Sequence, residues 1–104
     1  MLSLLASILV VVDGDTIRLD GERIRLWGVD APEMSTTEGE KAKAYLEKYL
    51  ADKDVVCYPT SVDRYGRTVA MCYVGNTDIA CHMVNQGHAE DWPMFSDGYY
   101  KGCN

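Results

Sequence analysis

Apolar positions along this chain follow first a strand-like and then a helical period. Residues 4–12 are almost continuously apolar and rich in Leu, Ile and Val, as in a largely buried strand. Residues 16–19 and 23–27 then alternate around Asp20-Gly21, a strong two-residue turn signal, with Ile17 and Leu19 as one apolar set and Ile24 and Leu26 as the other. These runs predict a three-stranded antiparallel meander, with Asp13-Gly14-Asp15 allowing a bulge or sharp bend at Gly14. Residues 28–37 read as a loop in which Pro32 holds Ala31 extended. Thr37-Glu38-Gly39-Glu40 fits a capping box, and Ala42, Tyr45, Leu46, Tyr49 and Leu50 then share one helical face, ending near Asp52. Residues 54–60 and 67–74 read as two more strands joined by SVDRYGR. A shorter helix follows at 78–86, with Ile79, Met83 and Val84 inward and Gly87 at its C′ position. The remainder, HAEDWPMFSDGYYKGCN, has no clear period and reads as irregular.

Five strands with a helix between the third and fourth predict an α+β, mostly β domain: a five-stranded Greek-key barrel of the OB type with two helices. That architecture is a frequent platform for oligonucleotides and oligosaccharides. At 104 residues the chain holds a single domain, 1–104, with no low-complexity run, repeat or linker. Charge narrows the choice of partner. Ten Lys and Arg against sixteen Asp and Glu leave a net charge of -6, which argues against a general basic coat for nucleic acid. A nucleic-acid substrate would need a local site.

The start, MLSLLASILVVV, has some character of a signal-peptide core, but it lacks a basic n-region and runs into VDGDT without a small-residue cleavage site. The run is too short to span a membrane, so no membrane association is expected. It reads mainly as a first strand, with a trimmed signal sequence as the alternative. Cysteines at 57, 72, 81 and 103 have no CxxC spacing, which disfavours zinc. Cys57 and Cys72 flank DRYGR nearly symmetrically and would face one another across a hairpin, leaving Cys81 and Cys103 as the second pair. The other reading is four small buried hydrophobes. Disulfides would favour a periplasmic or secreted location.

The chemistry concentrates in residues 10–33, VVVDGDTIRLDGERIRLWGVDAPE. If the hairpin forms, Asp13 and Asp15 fold back towards Asp30 and Glu33, with Arg25 on the returning strand. Carboxylates converging beside a guanidinium suggest a hard cation holding a phosphate. Taken singly, the aspartates could be turn formers and Arg25 a structural ion-pair partner. His82 and His88 do not share a helical face, and Tyr45 and Tyr49 read as core.

VVDGDTIRL, IRLWGVDAPE, GEKAKAYL, DRYGR and DIACHMVNQGHA, in this order over residues 8–92, resemble the staphylococcal nuclease (thermonuclease-like) family. The resemblance implies an OB barrel and a calcium-dependent phosphodiesterase cutting DNA and RNA with little base specificity and leaving 3′-phosphorylated products. By position it implies Asp15, Asp30 and the Ala31 carbonyl as Ca2+ ligands, Asp13 behind them, and Glu33 as general base. Arg25 and Arg67 would hold the scissile phosphate and Tyr65 would sit near the nucleotide. Trp92, Tyr99 and Tyr100 are candidates for its flanking aromatics. The acidic balance departs from the lysine-rich surface of the best-known members, which implies weaker binding. The chain also stops soon after Trp92-Pro93, where members continue into a last helix; disulfides or homodimerisation could offset that loss. The rival expectation is a catalytically weak or inactive OB-fold module that binds nucleic acid or acts as a scaffold.

Overall fold

The computed structural model describes residues 8–103. Strands β1 (Leu9–Asp13), β2 (Thr16–Leu19) and β3 (Glu22–Leu26) form the expected antiparallel meander. Residues 4–7 of the expected first strand lie outside the described residues. Asp20 and Gly21 both have positive φ (51° and 85°), as a type I′ hairpin requires, and they pair Ile17 with Ile24 on the core side. A register shift between Val11 and Asp13 supplies the expected irregularity, just before the turn at Gly14.

Short strand β4 (Val29–Asp30) lies within the segment expected to be loop. Helix α1 (Thr37–Leu50) follows. Its cap is Thr36, one residue earlier than the sequence pattern suggested: the Thr36 hydroxyl accepts from the Gly39 N–H at 3.0 Å. The capping-box geometry is therefore absent, because Gly39 and not a glutamate stands three residues after the cap. Ala42, Leu46 and Leu50 are buried, with Tyr45 and Tyr49 half-buried beside them.

Strands β5 (Val55–Val62) and β6 (Thr68–Val74) form the second hairpin, and β6 runs parallel to β3. The mixed sheet has the order β1-β2-β3-β6-β5, and β7 (Thr77–Asp78) also pairs with β6. No ladder joins β1 to β5 among the described residues, so this sheet is open. Cys57 pairs directly with Cys72, at an S–S distance of 2.09 Å. Helix α2 (Ile79–Asn85) is capped by the Asp78 carboxylate and buries Ile79, Met83 and Val84 as its spacing predicted.

The expectation of irregular chain beyond Gly87 is corrected by three short elements. Strand β8 (Glu90–Asp91) pairs with β4, helix α3 (Pro93–Ser96) makes one turn, and a 3₁₀ turn spans Lys101–Cys103. The fold is thus α+β with three helices, where two were expected. Elements this short present no measurable period; hydrogen bonds to distant residues hold them. The Asp91 carboxylate accepts from the Ser96 hydroxyl and the Tyr100 N–H, and Cys81 joins Cys103 at 2.14 Å. Tyr100 is 1% exposed, and its hydroxyl donates to Asp78 at 2.8 Å. Burial and that bond keep the phenol protonated.

Tyr100 therefore joins the core and fastens the end of the chain to it. Tyr100→Ala should destabilise the fold by about 3–5 kcal/mol, the range for large aromatics removed from a core. Urea unfolding followed by tryptophan fluorescence measures this, and a loss below about 1 kcal/mol would show that the terminal segment is not part of the cooperative unit.

Candidate active site

Three turns of backbone meet at one end of the sheet. Gly14 sits between β1 and β2, where a Cβ would come within 2.8 Å of the Cβ atoms of Ala31 and Ala42. Only glycine lets this turn lie against both the strand β4 exit and α1. The neighbouring Asp15 is thereby placed under the loop: its Oδ2 accepts from the Ala31 N–H at 2.8 Å, and its own N–H donates to Asp13.

Arg25 reaches the same point from β3. Its Nη1 donates to the carbonyls of Leu26 and Val29 at 2.7 and 2.8 Å, and its Nη2 lies 3.4 Å from Asp15 and 3.7 Å from Asp30. Asp15 and Arg25 are both buried, at 7% and 8% exposure, whereas Asp30 and Glu33 are exposed. Burial, followed by the adjoining Asp13, pushes the Asp15 carboxyl up to about 6 despite the Arg25 charge.

Arg67 arrives from the β5–β6 hairpin, held by Asp63. The Asp63 carboxylate accepts from Arg67 Nε at 2.7 Å and from the backbone N–H groups of Tyr65 and Arg67 at 2.9 Å. Burial works against ionisation here, but these donors outweigh it and hold Asp63 below the usual carboxylate range. Glu33 is fixed through its backbone: its carbonyl accepts from the Thr36 hydroxyl at 2.6 Å and from the Thr36 N–H at 3.0 Å. The first turn of α1 presses against that carbonyl. A Cβ on Gly39 would overlap the Glu33 carbonyl oxygen.

Asp13, Asp15, Arg25, Asp30, Ala31, Glu33 and Arg67 all line one cavity of about 300 Å3. Arg25 and Arg67 also border a larger, mainly apolar cleft of about 720 Å3, walled by Trp27, Val62, Tyr65, Trp92, Met94 and Phe95. Of the suggested aromatics, Trp92 faces this cleft, with the Arg25 guanidinium 5.4 Å from its ring centre. Tyr100 lies in the core instead, and Tyr99 packs edge-on against Trp27. Met94 and Phe95 escaped the sequence reading because the turn of α3 that presents them has no periodic signal. Asp63 escaped it too, although an Asp four residues before an Arg across a tight turn was a usable sign. His82 and His88 stack on Tyr49 and Tyr45 respectively, and His82 Nε2 pairs with the Tyr45 hydroxyl at 2.7 Å; neither lines the cavity of Asp15 and Glu33, although His88 borders a neighbouring one with Asp30 and Ala31.

The donors suit a hard cation by type, since all are oxygens, and Asp15 is a buried carboxylate whose charge Arg25 only partly meets. Among the described residues no three acidic, His or Cys side chains are gathered closely enough to form a metal cluster.

The family described as staphylococcal nuclease homologue matches residues 23–101. The chain belongs to that family. It is 37% identical over 67 residues to the probable staphylococcal-like nuclease CAN2 of Oryza sativa subsp. japonica, covering 64% of this chain and 18% of the relative. It is 33% identical to the succinoglycan biosynthesis protein ExoI of Rhizobium meliloti, covering 89% of this chain and 55% of the relative. An uncharacterized endonuclease of Haemophilus influenzae is 34% identical, with 83% and 51% covered. The chain thus spans about half the length of the latter two and less than a fifth of the rice protein.

In this staphylococcal nuclease homologue the raised Asp15 pKa has a direct consequence for stability. A carboxyl at 3.8 unfolded and about 6 folded favours the fold below 3.8, and that contribution is lost as pH rises through 6. Metal-free protein should therefore lose up to roughly 3 kcal/mol from this group between acid and neutral pH. Asp15→Asn should flatten that part of the profile. Thermal melts in chelator across this range test it; parallel profiles for the two proteins would contradict it.

Proposed function

We propose that this domain is a calcium-dependent phosphodiesterase that hydrolyses DNA and RNA with little base specificity. The observation that carries the reading is the single cavity shared by Arg25, Arg67 and the carboxylates Asp13, Asp15, Asp30 and Glu33, opening beside an apolar, aromatic-walled cleft. A polar pocket for a phosphate next to an apolar slot for a base suits a nucleotide unit, and a site directed at the backbone reads little sequence. The nuclease and endonuclease names of the relatives agree with it.

In this reading Asp15, Asp30 and the Ala31 carbonyl hold the Ca2+, with Asp13 supporting Asp15 through the turn. Bound there, the ion supplies Lewis acidity and charge neutralisation at the phosphate. Arg25 and Arg67 make charge-assisted hydrogen bonds to the non-bridging oxygens, which strengthen as negative charge grows in the transition state. Glu33 takes the proton from the attacking water; its exposed carboxylate sits on a backbone pinned by Thr36 and Gly39. Tyr65, under the guanidinium groups of Arg64 and Arg67 and 64% exposed, borders the nucleotide. Attack leaves a 3′-phosphorylated product, as the family resemblance implies.

The same reading completes the mixed sheet as the family's five-stranded OB barrel, with β1 and β5 facing one another across a cleft of about 810 Å3. The two cysteine pairs at bonding distance favour an oxidising, extracytoplasmic compartment. No helix among the described residues is long and apolar enough to cross a membrane.

Cleavage of single-stranded DNA and RNA, with calcium and with a chelator, tests the activity. Native protein should cut only with calcium, and Glu33→Gln should lower kcat by about 10²–10⁴-fold with its melting temperature unchanged. A folded native protein that cuts neither substrate would leave a binding or scaffold module. Gly39→Ala gives an independent check on how the base is held. Displacing the Glu33 carbonyl should lower kcat at least tenfold while KM changes less than threefold, in line with the sensitivity of catalysis to misplaced groups. Unchanged kcat would mean that the helix start does not position Glu33.

A further inference from the structure

The β2–β3 hairpin carries a feature that the cavity around Arg25 and Arg67 does not absorb. Ile17 pairs with Ile24 on the buried face, so the alternate pairs Thr16–Arg25 and Arg18–Arg23 share the opposite face. Thr16 and Arg25 are covered by the loops of the site, whereas Arg18 and Arg23 are exposed. Like charges directly opposite in an antiparallel ladder are unfavourable. Yet among the described residues neither arginine forms an ion pair, in a chain with sixteen acids.

Arg23 also stands beside the site. It is two residues from Arg25 on the same strand face, about 6.8 Å along an antiparallel strand. The parallel pairing of Ile24 with Thr68 brings Arg23 and Arg67, the residues just before each, to the same end of the β3–β6 ladder. Arg67, Arg23 and Arg18 thus cross three adjacent strands, with Arg25 one step along the middle one. Backbone register sets Arg23 and Arg18 in a row with Arg67, on strands next to the one that carries Arg25 or on that strand itself, leading from the cavity over exposed sheet.

We propose that Arg18 and Arg23 are a second phosphate-binding subsite, which takes the sugar-phosphate backbone of a single strand where it leaves the cleft. The proposal rests on the phosphodiesterase reading and deepens it: the substrate is a polynucleotide several residues long, gripped beyond its scissile bond. Planar, always-charged guanidinium groups suit phosphate oxygens, and their mutual repulsion in the free protein is relieved when anions lie between them. The subsite also answers the unfavourable overall charge. Affinity from phosphate contacts does not need a basic protein, only a local row of cations.

The test is the salt dependence of binding, measured in the Glu33→Gln background with calcium so that probes survive. Two fluorescent single-stranded DNA probes are compared, an octanucleotide and a dinucleotide. Arg18→Gln with Arg23→Gln should lower the slope of log K against log salt for the octanucleotide by about 1.4, two contacts at the single-strand value, and leave the dinucleotide slope at that of the parent. Lys48→Gln with Lys101→Gln makes the same change in net charge away from both cavities and should leave both slopes unaltered. An unchanged octanucleotide slope in the arginine variant overturns the subsite while the phosphodiesterase reading stands. An equal fall for both probes, or the same fall in the lysine variant, overturns it in favour of a general field effect. If the parent binds neither probe, the functional reading falls and the subsite with it.

Discussion

A guanidinium that is 8% exposed must have its charge and its hydrogen bonds met by protein, and here that requirement organises one end of the domain. Arg25 spends one nitrogen on the carbonyls of Leu26 and Val29 and faces Asp15 and Asp30 with the other. Asp15 in turn accepts from the Ala31 N–H. The β1–β2 turn, the end of β3 and the start of the α1 loop are therefore tied through two side chains. A buried ion pair of this kind adds little net stability, because desolvation offsets most of its attraction. Its effect is positional: it fixes where three loops sit relative to one another. Gly14 extends the tie to α1 through its close approach to Ala31 and Ala42.

A second anchor acts from the helix side. Thr36 serves two purposes with one hydroxyl, donating to the Glu33 carbonyl and accepting from the Gly39 N–H. The missing side chain at Gly39 lets the chain fold back tightly enough for both bonds. Cap, helix start and Glu33 are one unit, so the position of that carboxylate is set by backbone packing and leaves its side chain free in solvent.

The parts of this structure legible in the sequence were those with a repeat or a strong local signal. Asp20-Gly21 sets the register of β2 on β3, and with it the approach of Arg25 to Asp15. The symmetry about DRYGR likewise paired Cys57 with Cys72, and the 3.6 period located both longer helices. The misplaced cap shows the limit of motif matching: Thr37 satisfied the pattern, but the neighbouring Thr36 won because its hydroxyl could also bond Glu33. Beyond Gly87 local signals end. Strand β8, the turn of α3 and the burial of Tyr100 depend on partners at residues 28–30 and 78, contacts that no window along the chain contains. Met94 and Phe95 on the cleft wall were hidden for the same reason, whereas Trp92 beside them was already a candidate aromatic.

Charge shows the opposite lesson, that a total can mislead where a distribution does not. The ten basic residues divide evenly by type and by place. Arg18, Arg23, Arg25, Arg64 and Arg67 all belong to the β2–β3 hairpin or the β5–β6 turn, while Lys41, Lys43, Lys48 and Lys53 lie on or just after α1 and Lys101 lies near the end. On α1 the lysines alternate with Glu38, Glu40 and Glu47, an arrangement that solvates a helix face and keeps its field near neutral. Asp15 and Asp63 are close partners for two of the five arginines, Arg25 and Arg67, and among the described residues Arg18, Arg23 and Arg64 form no ion pair. A net charge of -6 averages these regions into one number. Planar forked donors are gathered on and beside the sheet face that adjoins the carboxylate cavity, and four of the five flexible point charges lie on or just after the helix. That segregation is what the proposed phosphodiesterase would need from an acidic protein: local attraction along one line, with repulsion elsewhere limiting non-productive contact.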